Sequence, residues 1–200
     1  MTQEAADTAR EAGADLIGFV FAPSRRRLAP AAAAAIAGRT AGIAKVGVFV
    51  DQPLAEVREI ADFCRLDYIQ LHGDETAAYC QTVGRPVIKA FRYHPGFDTA
   101  AAAAYPAELL LIDSLVPGQA GGSGQAFDWQ AAGDLGRRLA RPFLLAGGLT
   151  ADNVAEAIGL LAPAGVDVSG GVETDGVKDL KKIRRFIEQT KPAAEVKKNA

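Results

Sequence analysis

Cysteine is almost absent from this chain: there are two in 200 residues, Cys64 and Cys80, and their spacing follows no paired pattern. That scarcity excludes a disulfide framework and a cysteine-built zinc site. An excess of charge of one sign is also missing. The formal net charge of -2 offers no field for a polyanion, which excludes nucleic acid as a partner. No stretch approaches the roughly 18 consecutive apolar residues of a membrane span. The opening MTQEAADTARE is charged and lacks the apolar segment of a signal peptide. The expected setting is therefore the cytoplasm, with no membrane partner.

What remains is ordinary globular material. An apolar fraction of 49% over 200 residues can bury one sizeable core, and a single domain over residues 1–190 is the expectation. Residues 191–200, KPAAEVKKNA, carry a proline and no apolar face, and read as a disordered tail.

Along the chain, apolar runs alternate with helical patterns. Strands are expected at DLIGFVF (15–21), KVGVFV (45–50), YIQLHG (68–73), PVIKAF (86–91), LLLID (109–113), PFLLAGG (142–148) and GVDVS (165–169). Helices are expected between them, at Ala31 to Ala37, from Leu54 to Phe63, up to Val83, around Ala100 to Ala104, and over Trp129 to Leu139. Another runs from Asn153 to Leu161, capped by Thr150 or Asp152, and the last from Val177 to Gln189. A short alanine-rich helix at 2–12, stopped by Gly13, precedes the first strand. Strict alternation with short connections implies a parallel sheet, because parallel neighbours need a helical crossover. The fold class is α/β, of the (β/α)8 TIM-barrel family, with seven recognisable strands where the complete barrel has eight.

In barrels of this class the chemistry lies at the C-terminal ends of the strands, and a phosphate site is commonly built from the loops after the last two. Those loops are Gly147-Gly148 and Ser169-Gly170-Gly171. Glycine lets backbone amides approach an anion closely, although the same residues also make tight strand-to-helix turns. Asp113 ends the fifth run and is the candidate acid, since shielding from water favours the protonated form of a carboxyl group. A glycine loop, Gly121 to Gly124, follows it. Of the three adjacent arginines Arg25, Arg26 and Arg27, one is expected to turn inward as a planar fork for a carboxylate or phosphate. His72 ends the third run as either a hydrogen-bonding group or a loop brace. His94 reads as exposed in a turn, Asp128 as a helix cap, and Asp167 as either structural or inward-facing.

These motifs together resemble one family. GADLIGFVF, SRRR, VGVFV, QLHGDE, LLID, GGSGQAFDW, LAGGLTADNV and VDVSGGVE stand in the order and spacing of phosphoribosylanthranilate isomerase, from Thr2 to Ile187. The resemblance implies a cofactor-free and metal-free Amadori rearrangement in tryptophan biosynthesis. N-(5-phosphoribosyl)anthranilate becomes 1-(2-carboxyphenylamino)-1-deoxyribulose 5-phosphate. It makes Asp113 the general acid, Arg26 the holder of the anthranilate carboxylate, and Gly147, Gly148, Ser169 and Gly170 the phosphate site. His72 and Gly122 become further substrate contacts, Gly122 within a loop that covers the site. The resemblance leaves the oligomeric state open.

One family element has no counterpart in these residues: the first strand, whose Lys-Ile-Cys-Gly motif carries the general base. Cys64 and Cys80 belong to helices and are expected away from the catalytic face. Loss of a positioned base costs about 10²–10⁴ in rate, so these residues alone are expected to be nearly inactive; full turnover would overturn that. The competing readings are a degenerate barrel that binds a sugar phosphate or a partner without catalysis, and another phosphate-binding barrel such as indole-glycerol-phosphate synthase.

Overall fold

The computed structural model describes residues 1–94, 96–113, 129 and 132–198, with side chains as far as Lys191. Contacts divide the chain into two compact units. The first comprises Met1–Ala90 with Tyr105–Leu109, the second Phe91–Ala104 with Leu110–Ala200.

The first unit opens on helix α1 (Gln3–Ala12). The Thr2 hydroxyl accepts from the Ala5 amide, Gly13 closes the helix at φ 99°, and the small faces of Ala5 and Ala6 are buried. Strand β1 (Leu16–Val20) follows, then α2 (Pro30–Arg39), whose proline sits at the first turn, where no amide is needed. Next come β2 (Ala44–Phe49), α3 (Leu54–Cys64), β3 (Tyr68–Leu71), α4 (Ala77–Thr82) and β4 (Val87–Arg92). β1, β2, β3 and β4 pair in that order, all parallel. The core is built from strand residues such as Phe19, Phe49, Ile69, Leu71 and Ile88, and from Val57 on α3.

The second unit contains α5 (Thr99–Ala103), with the Asp98 carboxylate capping the Ala101 amide, and β5 (Leu109–Asp113), whose first residue belongs to the first unit. α6 (Leu135–Leu139), β6 (Phe143–Ala146), α7 (Val154–Leu161) and β7 (Gly165–Val166) follow. β5, β6 and β7 are again parallel and in chain order. Leu110, Leu111, Ile112, Leu135, Leu139, Leu145 and Val154 are fully buried here. All seven expected strands are present among the described residues.

Four local expectations need correction. α6 begins at Leu135 rather than Trp129, because Ala132, Gly133 and Asp134 form turns. Neither Thr150 nor Asp152 caps α7. Asn153 takes the capping position, and its side chain turns back into the preceding loop. The chain from Val177 does not start a helix. Glu173–Thr174 (β8) and Val177–Lys178 (β9) form a small antiparallel hairpin through Asp175 (φ 51°) and Gly176 (φ 79°). Two successive left-handed residues match the right-handed twist of such a ribbon. The last helix, α8, runs over Leu180–Lys198, started by Asp179, whose Oδ1 accepts from the amides of Lys181 and Lys182. Its extension beyond Gln189 follows the helix-favouring Ala, Glu and Lys content there, which offsets Pro192.

Candidate active site

In the second unit the strand ends line up. Asp113, the last residue of β5, stands beside Ala146, the last of β6, and the Asp167 amide donates to Leu145 O at 2.8 Å. Because Leu110, Leu111 and Ile112 are wholly inaccessible, the strand delivers Asp113 to the sheet edge with its side chain still 93% withdrawn from water, at 7% exposure. Its carbonyl accepts the Tyr93 amide at 2.9 Å. The residues that follow, including Gly122, the remainder of the Gly121–Gly124 loop and Asp128, lie outside the described residues.

β6 passes directly into Gly147 (φ 86°) and Gly148 (φ 65°). Two consecutive left-handed residues are strained for any side chain, so this turn requires glycine. Asn153 braces it, donating from Nδ2 to Gly148 O at 3.0 Å and accepting the Thr150 amide at 2.8 Å on Oδ1. The loop after β7 closes against it. A methyl group on Gly171 would lie 1.8 Å from Leu149 O, so only a bare Cα allows the two backbones to approach. The loop carrying Ser169 and Gly170 thus meets the segment just after Gly147-Gly148 at Leu149, and a short 3-10 turn, Gly170–Val172, begins there.

In the first unit, the loop after β1 leaves and returns to the strand end, with the Leu28 amide on Val20 O at 2.8 Å. The Ser24 hydroxyl and carbonyl accept the Arg26 and Arg27 amides at 3.2 and 3.1 Å. Arg25 and Arg27 are exposed, and Arg26 is the half-buried member of the three. His72 follows β3, its amide bonded to Phe49 O at 2.9 Å. The Gln70 amide nitrogen lies 3.2 Å from His72 Nδ1; as a donor it assigns the ring proton to Nε2.

Beneath His72 lies a network that the sequence did not suggest. Glu75 and Lys89 form an ion pair at 2.9 Å with side-chain exposures of 2% and 3%. The Glu75 carboxylate also accepts the amides of Asp51 (2.9 Å) and Gly73 (3.0 Å). Lys89 Nζ donates to Gly73 O at 2.5 Å and points toward Leu71 O at 3.4 Å. The backbone on both sides of His72 is thus held by one buried cation, and Gly73 by both partners. Burial pushes the Glu75 carboxyl upward, but the Asp51 amide and Lys89 outweigh it and hold it below the ordinary value. A lysine inside an apolar strand run was the available signal, with no spacing to identify its partner.

The two cysteines fall away from these edges. Cys64 ends α3 with its thiol on Pro30 O, Cys80 lies in α4, and burial raises both thiols above their ordinary value. His94 is exposed, edge-on to Phe97. Asp167 is exposed as well. Among the described residues no cluster of three or more His, Cys, Asp and Glu could hold a metal, and no helix is long and apolar enough to cross a membrane.

Alternating strands and helices, with an acid and glycine turns at the strand ends, are the arrangement of TIM-barrel enzymes. Known proteins bear this out. A family model described as N-(5'phosphoribosyl)anthranilate (PRA) isomerase matches residues 1–189. The N-(5'-phosphoribosyl)anthranilate isomerase of Roseiflexus sp. (strain RS-1) is 49% identical, over 97% of this chain and 95% of its own length. That of Pseudomonas fluorescens (strain Pf0-1) is 48% identical, over 92% and 91%. The crystal structure of the Thermotoga maritima enzyme superposes with a TM-score of 0.88 at 36% identity, over 96% of this chain and 95% of that one. A further isomerase, solved in complex with reduced 1-(o-carboxyphenylamino)-1-deoxyribulose 5-phosphate, gives 0.83 at 34% identity, over 96% and 94%. The fold is that of the (β/α)8 TIM-barrel family, and the chain belongs to the phosphoribosylanthranilate isomerase family.

Proposed function

We propose that this chain catalyses the Amadori rearrangement of N-(5-phosphoribosyl)anthranilate in tryptophan biosynthesis, with Asp113 as general acid. The observation that carries the assignment is the placement of Asp113: buried at the end of β5, level with Ala146, one residue before the glycine turn. A carboxylic acid there donates its proton to the furanose ring oxygen as the C1–O bond breaks, leaving an open-chain imine. Loss of the C2 proton, to water because no side chain is assigned as base, then gives the enolamine, which tautomerises to the ketose, and turnover is expected to be slow for that reason. Exclusion of water from the site slows hydrolysis of the imine.

The phosphate is assigned to the paired turns at Gly147-Gly148 and Ser169-Gly170, where close backbone approach suits an anion. Arg26 is assigned to the anthranilate carboxylate, because guanidinium and carboxylate meet as matched planar forks. His72 is assigned to a substrate hydroxyl through Nε2–H. Both thiols lie on helices, so neither is assigned the base. A cytoplasmic setting suits a reaction between water-soluble phosphorylated intermediates.

Calorimetric titration with reduced 1-(o-carboxyphenylamino)-1-deoxyribulose 5-phosphate tests the reading. Saturable binding that inorganic phosphate competes away is expected. Arg26→Gln should weaken it by about 10-fold or more, as befits a charge-assisted hydrogen bond. No saturable binding would remove the assignment.

A further inference from the structure

The hairpin β8–β9 returns Lys178 beneath the loop after β7. Lys178 Nζ donates to Ser169 O at 2.8 Å and to Glu173 Oε1 at 3.1 Å, with Ser169 Oγ at 3.4 Å. The pairing is largely withdrawn from water, with side-chain exposures of 15% for Lys178 and 5% for Glu173. The register sets Glu173 directly opposite Lys178, and the Asp175-Gly176 turn fixes that register. Lys182 Nζ adds a bond to Glu173 O at 2.8 Å, tying the hairpin to α8.

The consequence follows from the planarity of the peptide bond. In a trans peptide the C=O of one residue and the N–H of the next point in opposite directions. Holding Ser169 O on Lys178 therefore aims the Gly170 N–H away from Lys178, on the opposite side of the same plane. Gly170 is one of the amides assigned to the phosphate. The adjoining Gly171 is held against Leu149 O by the close approach of the two loops, so the plane has little room to rotate. The ammonium also places a formal positive charge under the turn, offset in part by Glu173.

We infer that Lys178 is a positioning residue for phosphate recognition: it locks the Ser169–Gly170 peptide so that the Gly170 amide faces the substrate's phosphoryl group. The inference rests on the phosphate assignment above. Pre-setting this amide removes the cost of ordering it when the ligand arrives.

Two variants test it, Lys178→Met and the double replacement Glu173→Gln with Lys178→Met. The second keeps the pair neutral if the carboxylate left behind in the single variant impairs folding. The readouts are amide NMR shifts on titration with inorganic phosphate, and single-turnover conversion of the substrate over a range of protein concentrations. In the unmodified chain, phosphate should shift the Gly148 and Gly170 amides. In both variants the Gly170 shift should be lost. The protein concentration for half-maximal rate should rise about 10-fold or more, with a smaller fall in the limiting rate. Lys178→Arg, which can still donate to Ser169 O, should restore part of the affinity. Unaltered phosphate affinity in a folded variant would overturn the role of Lys178 while the phosphate assignment stands. Absence of any Gly148 or Gly170 shift in the unmodified chain would instead overturn the phosphate assignment, and this inference with it.

Discussion

Replacing Gly171 with alanine puts a carbon 1.8 Å from Leu149 O, 2.9 Å from Leu149 C and 3.2 Å from Thr150 Cα. All three neighbours are backbone, so no rotamer change relieves the clash. To reach even 3.0 Å from the oxygen the loops must part by roughly 1.2 Å, the difference between 3.0 and 1.8. Overpacking of this kind costs about 1–3 kcal/mol. For a chain of this length that lowers the melting temperature by about 2–12 °C. The functional loss should be of similar size, because a displacement of about 1 Å in a positioning element can cost about 10²-fold, roughly 2.7 kcal/mol. Calorimetric titration with the reduced product analogue should show affinity lowered by about 10-fold or more. Scanning calorimetry should show the modest drop in melting temperature. A Gly171→Ala protein with the parent's melting temperature and affinity would refute the reasoning, because the two loops could then not be in contact as described.

The buried Glu75–Lys89 pair gives two further expectations. Lys89→Met strands a carboxylate with only amide donors and should cost about 3–5 kcal/mol in denaturant unfolding, while the double variant Glu75→Gln with Lys89→Met should cost less than either single change. A double variant as damaged as the sum of the singles would show that the pair does not act as a unit. Because the Glu75 carboxyl is held below its ordinary value in the folded state, its contribution is complete above the unfolded value near 4.5 and is lost as pH falls through the folded value. Unfolding midpoints measured from pH 7 to pH 3 should therefore fall more steeply for the parent than for Glu75→Gln, and equal slopes would contradict this.

The strands were legible because each is a short apolar run closed by a turn signal, and β1 to β7 lie within those runs except that β2 starts one residue early at Ala44 and β4 ends one residue late at Arg92. Asp113 was legible for the same reason, as the first charge after LLI. Arg26 could be singled out from its neighbours only through the motif spacing; it is half-buried where Arg25 and Arg27 are exposed. The hairpin escaped because strands of two residues have no measurable period, although Asp175-Gly176 between Thr174 and Val177 was a usable turn signal. Glu75 and Lys89 lie on different elements, and nothing local pairs a loop acid with a strand lysine 14 residues on. The braces by Asn153 and Lys178 are likewise products of tertiary approach. Sequence showed where the glycine turns are, and only packing shows what holds them.

The assignment of Asp113 as proton donor is tested most directly by single-turnover conversion of N-(5-phosphoribosyl)anthranilate with protein in excess, followed by loss of substrate fluorescence, for the parent and for Asp113→Asn. Even slow conversion is measurable in this format. Asparagine keeps the shape of the side chain but supplies no acidic proton, so the rate should fall by about 10²–10⁴-fold while the reduced analogue binds within about threefold of the parent. Conversion by Asp113→Asn at the parent's rate would contradict the account.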